Sequence, residues 1–330
     1  MSDQILDQAG RSIEYLRISV TDRCNLRCRY CMPPQGIERK AHDDILRYEE
    51  IARAVAAMAP IGLRRVRLTG GEPLVRPGLP DLVRLIRGIP EIEDIAVTTN
   101  GVLLADYAQD LWDAGVQRIN VSLDTLRPGR FSEITQGGNL DKVLEGLRAA
   151  EAIGMRPIKV NAVLVRGMND DEVVDFARLT LEKPYDVRFI EFMPMGDVGL
   201  WSEDAVVPEQ EARAEIERIA PLQAAKSPAT SRGGDAWRLP EAAGTLAFIS
   251  PVSSPFCGSC NRLRLTSDGQ LRPCLLSDQT VDLRAVLRSG GTDDDIREAF
   301  RAAARSKPDG HTLGEGGACH TKTPMTSIGG

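Results

Sequence analysis

The chain has no apolar run of the roughly 18 residues that a membrane-spanning helix needs. Its start, MSDQILDQAGRSIEYLR, lacks the basic residues and apolar stretch of a secretory signal. Both absences point to the cytoplasm and to no membrane partner. There is no basic excess either: the formal net charge is -6, which argues against a protein that coats nucleic acid. Aromatic residues are few, at 5%, yet the 42% hydrophobic share lies near the globular norm, which excludes global disorder and permits a sizeable core. Lysine is scarce, 7 against 34 arginines, with none between Lys40 and Lys142. The cysteines number seven, and an odd count in a reducing compartment argues against a disulfide framework.

What the sequence does have is a strand-then-helix rhythm. The β-rich stretches are EYLRISVT (14–21), RRVRLTGG (64–71), DIAVTTN (94–100), RINVSLD (118–124), IKVNAVLV (158–165) and DVRFIEFM (186–193). Segments with helical spacing lie between them at 49–58, 79–86, 107–112, 140–153 and 172–181. Six such units in order imply a parallel sheet with crossover helices, and six falls short of the eight that close a full barrel. The pattern therefore predicts an α/β fold, a partial (β/α)6 TIM-like barrel over residues 1–195, and leaves a doubly wound sheet open. Beyond it, 196–330 reads as a C-terminal module. It carries a helix at 208–220, the polar stretch KSPATSRGGDAW, and β-like runs at 245–253 and 262–275. The second run has the Ser-Asp-Gly turn of a hairpin, and short helices follow at 281–289 and 293–304. A polar, Gly-rich and mobile tail ends in Ile328-Gly329-Gly330.

Six of the cysteines fall into two triads. Cys24, Cys28 and Cys31 form C-x3-C-x2-C in a loop directly after the first strand, the catalytic face of a barrel. Three close thiolates can hold zinc or an iron–sulfur cluster. Structural zinc takes four protein ligands, and the nearest histidine, His42, is eleven residues beyond Cys31. A 4Fe-4S cluster on three thiolates instead leaves one iron open to a small molecule, so the spacing favours a reactive cluster. Cys257, Cys260 and Cys274 form C-x2-C-x13-C. Here the spacing leaves zinc and iron–sulfur equally open, with Cys319 or His320 as candidates for a fourth ligand. Arg17 and Arg67 lie inside apolar strands, where a charge is costly unless paired. Arg262 and Arg264 have period two and point to one face. Forked guanidinium groups suit phosphate oxygens, although any one arginine taken alone reads as a surface ion pair.

The C-x3-C-x2-C motif with Tyr30 before its last cysteine, followed by Gly70-Gly71-Glu72-Pro73 at the end of the second strand, resembles the radical S-adenosylmethionine (SAM) superfamily. Within it, SVTDRCNLRCRYCMP, RLTGGEPLVR, TTNG, NVSLD, RFIEFMP, FCGSCNRLRLTSDGQLRPCL and the terminal Gly-Gly resemble the GTP 3′,8-cyclase family, the family of molybdenum cofactor biosynthesis protein A, over about residues 10–330. Two departures, PMTSIGG at the end and the stretch 222–244, leave the motifs untouched.

The resemblance implies two 4Fe-4S clusters. The first is held by Cys24, Cys28 and Cys31 and binds SAM; the second, in the C-terminal module, is held by Cys257, Cys260 and Cys274 and binds substrate through an open iron. It implies SAM contacts from Tyr30, Gly71, Ser122 and Met193, and GTP contacts from Arg17, Arg67, Thr98, Lys159, Arg262, Leu263 and Arg264, with Arg65 and Arg188 beside them. Gly329 and Gly330 are implied to enter the active site and serve turnover, while Cys319 has no matching role. The implied enzyme is a lyase-type cyclase. It takes the ribose 3′ hydrogen of GTP and forms (8S)-3′,8-cyclo-7,8-dihydroguanosine 5′-triphosphate, the first step of molybdenum cofactor (molybdopterin) biosynthesis. The three histidines, none in a motif, agree with chemistry that begins by hydrogen-atom abstraction. The implied partners are GTP, an electron donor and a downstream cyclic pyranopterin monophosphate synthase, with no nucleic acid; monomer and homodimer both stay open. Two rivals remain. A peptide-modifying radical SAM enzyme with one auxiliary cluster would need a docking domain that the sequence does not show, and a zinc-binding scaffold would hold no iron.

Overall fold

The computed structural model describes residues 4–32, 35–38, 40–195, 200–225, 235–311, 313, 321 and 323–329. Strands β1 (Tyr15–Ser19), β2 (Arg65–Thr69), β3 (Asp94–Thr99), β4 (Arg118–Ser122), β5 (Ile158–Leu164) and β6 (Tyr185–Glu191) occupy the six stretches expected from the sequence. They stand side by side in chain order, all parallel. Their crossovers contain α1 (Tyr48–Met58), α2 (Leu79–Arg87), α3 (Leu104–Ala114), α4 (Pro128–Thr135), α5 (Leu140–Ala152) and α6 (Val173–Glu182).

The strands alternate with period two, and the two faces differ sharply in polarity. Leu16 and Ile18 in β1, Val66 and Leu68 in β2, and Ile119 and Val121 in β4 are fully buried in the core shared with the helices. Each such side chain contributes roughly 1.5–3 kcal/mol by leaving water. The intervening residues, among them Arg17, Arg67 and Asn120, turn to the concave side. An ordinary barrel fills that side with Val, Ile and Leu; here it is polar and cationic.

The C-terminal module contributes α7 (Glu209–Glu217), β7 (Gln223–Ala225), β8 (Ala236–Arg238), β9 (Thr245–Ile249), β10 (Arg262–Leu265), β11 (Gln270–Arg272), β12 (Val281–Asp282), α8 (Leu283–Arg288), α9 (Asp293–Arg305) and α10 (Met325–Ile328). The module does not form a separate layer. Its strands extend the same sheet at both edges, in the order β12-β11-β10-β1-β2-β3-β4-β5-β6-β9-β8-β7. β10 runs parallel to β1 and β9 parallel to β6, so eight parallel strands stand in a row without closing. β10 and β11 form the expected hairpin.

The described part of the tail packs against the barrel. Thr326, Ser327 and Ile328 are buried, and α10 packs on β1. Gly330, Cys319 and His320 lie outside the described residues.

An ion pair between an exposed arginine and a buried carboxylate helps fasten the module to the barrel. Arg288 Nε and Nη2 in α8 donate to the Glu50 carboxylate of α1 at 2.9 and 3.1 Å, and Arg47 N donates at 2.7 Å. Burial alone would raise the Glu50 carboxyl, but these donors hold it down at about 2. The folded value lies below the unfolded one, so the contribution is present above the ordinary carboxylate range and is lost as pH falls toward about 2. Arg288→Met should therefore flatten the acid limb of a plot of Tm against pH. An unchanged acid limb would remove this pair from the account.

Candidate functional site

A cavity of about 340 Å³ runs through the concave side of the sheet, and six unbridged cysteines line it. Cys24, Cys28 and Cys31 follow β1, at the C-terminal ends of the parallel strands. β10 is parallel to β1, so Cys257 and Cys260, which precede β10, lie at the opposite end. β11 runs antiparallel to β10 and returns the chain to that end at Cys274. Topology thus sets one triad at each end of one cavity. Among the described residues, no three Cys, His, Asp or Glu side chains converge on a position for a single metal ion. Soft thiols facing a cavity suit an iron–sulfur cluster, whose ligands are spread over several irons.

The first triad is framed by neighbours from four elements. α4, a short helix opened by Pro128, accepts the cysteine loop: Arg27 N and Arg29 N donate to Thr135 O and Ile134 O at 3.1 and 3.0 Å. Leu26 N and Asn100 Nδ2 donate to Cys24 Sγ at 3.4 and 3.8 Å. Burial pushes the thiols of Cys24 and Cys31 up to about 11 and about 12, and that of Cys28 upward as well. Bound metal is what would hold such buried groups as thiolates.

Beside them, Gly71 approaches the loop so closely that a Cβ would stand 2.4 Å from Arg23 O. Glu72, fully buried, accepts from Leu74 N, Thr99 Oγ1 and Asn100 N at 3.0, 2.7 and 2.6 Å. Its carboxylate so fixes the turns after β2 and β3. Tyr30 OH donates to Asp124 Oδ2 at 2.5 Å, and Val163 N donates to Asp124 Oδ1 at 2.8 Å. The Tyr30 side chain is thereby occupied, which leaves its backbone for a ligand. Ser122 and Met193 face the same cavity.

The middle of the cavity is strongly cationic. Arg17 aligns with Arg264 on one neighbouring strand and with Arg67 on the other. Tyr15, one level lower, aligns with Arg262 and Arg65. Burial pulls Arg17 and Arg67 down to about 9 and Arg264 down to about 10, and adjacent arginines act in the same direction. Arginine keeps its proton, so these shifts measure how strongly the interior calls for an anion. The acids there are already engaged: Asp94 Oδ1 accepts from Arg118 Nε at 2.6 Å, and Asp186 Oδ2 from Arg188 Nη2 at 2.6 Å. Among the described residues, Arg17, Arg67 and Arg264 form no ion pair with a carboxylate. Arg17 Nε, Arg67 Nε, Arg118 Nη1 and Thr98 Oγ1 are buried with no hydrogen-bond partner among those residues. Orphaned buried donors in a cluster mark a missing acceptor.

The tail reaches this belt. Arg264 Nη1 donates to Gly329 O. Gly329 has φ +77°, and a Cβ there would meet Thr69 Cγ2 at 2.3 Å, so only glycine fits between β2 and the arginines.

Arg17, Arg67, Thr98, Arg262, Arg264 and also Arg65 and Arg188 line the cavity. Two expected GTP contacts do not. Leu263 sits at the opposite phase of β10, with its side chain in the apolar core. Lys159 is 0% exposed, with Nζ 3.8 Å from Asp186 Oδ2, and burial followed by repulsion from Arg188 pulls it down to about 6. Sequence reasoning passed over Arg118, Asp124, Arg11 and Lys307. Arg118 and Asn120 share the period-two phase of Ser122, and Asp124 ends NVSLD, so those signals were present. Nothing local marked Arg11 or Lys307.

The profile of the radical SAM superfamily matches residues 18–180, and that of Molybdenum Cofactor Synthesis C matches residues 185–313. A curated relative from Pelotomaculum thermopropionicum, called GTP 3′,8-cyclase, is 50% identical, covering 98% of this chain and 99% of its own length. Relatives of the same name from Alkaliphilus metalliredigens and Syntrophomonas wolfei are 48% and 46% identical, over 98% and 99% of this chain and 99% and 100% of theirs. Among solved structures, Streptococcus suis SuiB bound to precursor peptide SuiA superposes with a TM-score of 0.62 at 15% identity, covering 89% of this chain and 68% of that one. The protein described as anSMEcpe with bound AdoMet gives 0.60 at 16% identity, covering 91% of this chain and 79% of that one. These two show the fold. Two matched profiles, near-complete relatives and the cysteine and glycine motifs in their strand-end positions together place this chain in the GTP 3′,8-cyclase family of the radical SAM superfamily.

Proposed function

We propose that the chain is a radical SAM enzyme that converts GTP to (8S)-3′,8-cyclo-7,8-dihydroguanosine 5′-triphosphate, the first step of molybdenum cofactor biosynthesis. One observation carries this reading: a single cavity joins two cysteine triads across a belt of arginines, of which Arg17, Arg67 and Arg264 form no ion pair with a carboxylate among the described residues. Cys24, Cys28 and Cys31 would hold a 4Fe-4S cluster, which with SAM bound would supply a 5′-deoxyadenosyl radical.

The chain's own residues bind, orient and exclude water. Gly71 opens room for the methionyl end of SAM, Ser122 offers a hydroxyl, and Tyr30 and Met193 complete that end. Arg17, Arg67, Arg262 and Arg264 take the triphosphate, with forked donors that match its oxygens. Thr98 Oγ1 is a further donor. Lys159 supports the belt from behind, and Leu263 contributes only backbone. Cys257, Cys260 and Cys274 would hold the second cluster, and their end of the cavity would receive the guanine base. Gly329 closes the belt beside Arg264, and this reading assigns Gly330 to turnover with it. An electron donor reduces the enzyme, and a cyclic pyranopterin monophosphate synthase consumes the product. Six unbridged thiols favour the cytoplasm.

Anaerobic incubation with GTP, SAM and dithionite should give an isomer of GTP together with 5′-deoxyadenosine and methionine, identified by chromatography and mass analysis. SAM cleavage with GTP left unaltered would overturn the reading. Replacing both Arg262 and Arg264 by Ala should weaken GTP binding by at least roughly a hundredfold, since each charged hydrogen bond is worth about 1.5–3 kcal/mol. SAM cleavage in that variant should persist, and equal loss of both activities would count against the division of labour. Gly71→Ala should strip iron from the first triad alone, because its Cβ displaces the cysteine loop; retention of full iron would contradict the close approach. Removal of Gly329-Gly330 should stop product formation with both clusters intact, and undiminished turnover would make the tail incidental.

A further inference from the structure

Lys307 follows the last turn of α9 and is only 4% exposed. A buried ammonium is costly unless all three of its donors are used. Here Nζ donates to Cys260 Sγ at 3.4 Å, to Arg262 O at 2.9 Å and to Pro273 O at 2.9 Å. All three donors are spent on the second triad: one ligand sulfur, the residue two positions beyond it, and the residue directly before Cys274. Among the described residues, Lys307 forms no ion pair with a carboxylate. Its charge is thus left to be balanced by whatever the thiols carry.

The third ligand is held from the other side. Arg11 Nη1 donates to Cys257 O at 2.6 Å, and Arg11 Nη2 to Pro308 O at 2.8 Å, next to Lys307. Arg11, Lys307 and the three ligand positions form one connected set. The first triad is treated differently. Its side-chain donor is the neutral Asn100 amide, and the buried carboxyls Glu72 and Asp124 stand near it.

We propose that Lys307 is a positioning residue of the second cluster, fixing Cys260 and Cys274 in place and, through a charged N–H···S hydrogen bond, holding that cluster at a higher reduction potential than it would otherwise have. Hydrogen bonds to ligand sulfurs and local positive charge both act in this direction. The assignment rests on the second triad holding an iron–sulfur cluster. Iron bound by full-length protein with Cys24, Cys28 and Cys31 replaced by Ala tests that premise separately.

In that background the second cluster is the only one present, and its midpoint can be followed by EPR-monitored redox titration. Lys307→Met keeps the apolar stem and removes charge and donors; its midpoint should fall. Lys307→Gln keeps a neutral donor and should fall less. Where Lys307→Met binds no iron in the second triad but keeps the first cluster in otherwise wild-type protein, and Lys307→Gln restores the iron, the positioning role is supported directly. An unchanged midpoint with full iron in Lys307→Met would overturn the proposal. So would equal loss of iron from both triads in the Met and Gln variants, since that reports only a general structural lysine.

Discussion

The structure is organised around buried charge of one sign. Arg264, Arg17 and Arg67 stand at one level on three adjacent strands, where like charges side by side repel. Taking them out of water adds a desolvation cost that, among the described residues, no ion pair with a carboxylate offsets. The fold bears this because the other face of the same strands is apolar and fully packed under the helices. A strand such as Arg65-Val66-Arg67-Leu68-Thr69 satisfies both faces through its alternation alone. The cost falls when an anion enters, so the site is most comfortable when loaded. A formal net charge of -6 gives no hint of this, because a whole-chain sum averages the interior with the surface.

The second constraint is topological. Because β10 joins β1 in parallel and β9 joins β6, the C-terminal module shares the barrel's own hydrogen-bond ladders. The two cysteine triads are therefore fixed relative to each other by one continuous sheet rather than by docking of two bodies. Radical chemistry rewards this, since a reactive species generated at one end must meet a substrate held from the other, and small errors of placement are costly. Glu72, Asp124 and α4 pin the first end; Arg11 and Lys307 pin the second. Apart from Glu72 and Asp124, which sit in recognisable strand-end motifs, these supports are remote in sequence from the cysteines they hold.

That remoteness also decides what could be read in advance. The six central strands were legible because β-branched and apolar residues recur at period two between helical spacings, and both triads were legible because their spacing is local. α4 was not, since Pro128, Gly129 and Ser132 dilute its eight residues and only packing of Phe131 and Ile134 makes it a helix. The strand pairings at both sheet edges were invisible, because no local signal says which strand a hairpin joins. Arg262 and Arg264 were correctly placed on one face by their spacing, and the same alternation turns Leu263 to the core. The tail's Gly-rich composition gave no sign that Thr69 and Arg264 make room for glycine alone at position 329. Lys307 carries no sequence signal at all; its meaning comes from three partners brought together by the fold.

The claim that substrate and radical meet inside one cavity can be tested by isotope transfer. GTP deuterated at the ribose 3′ carbon, incubated anaerobically with SAM and reductant, should deliver its deuterium to 5′-deoxyadenosine in step with product formation. Product formed with unlabelled 5′-deoxyadenosine, or with the deuterium retained on the ribose, would contradict the account.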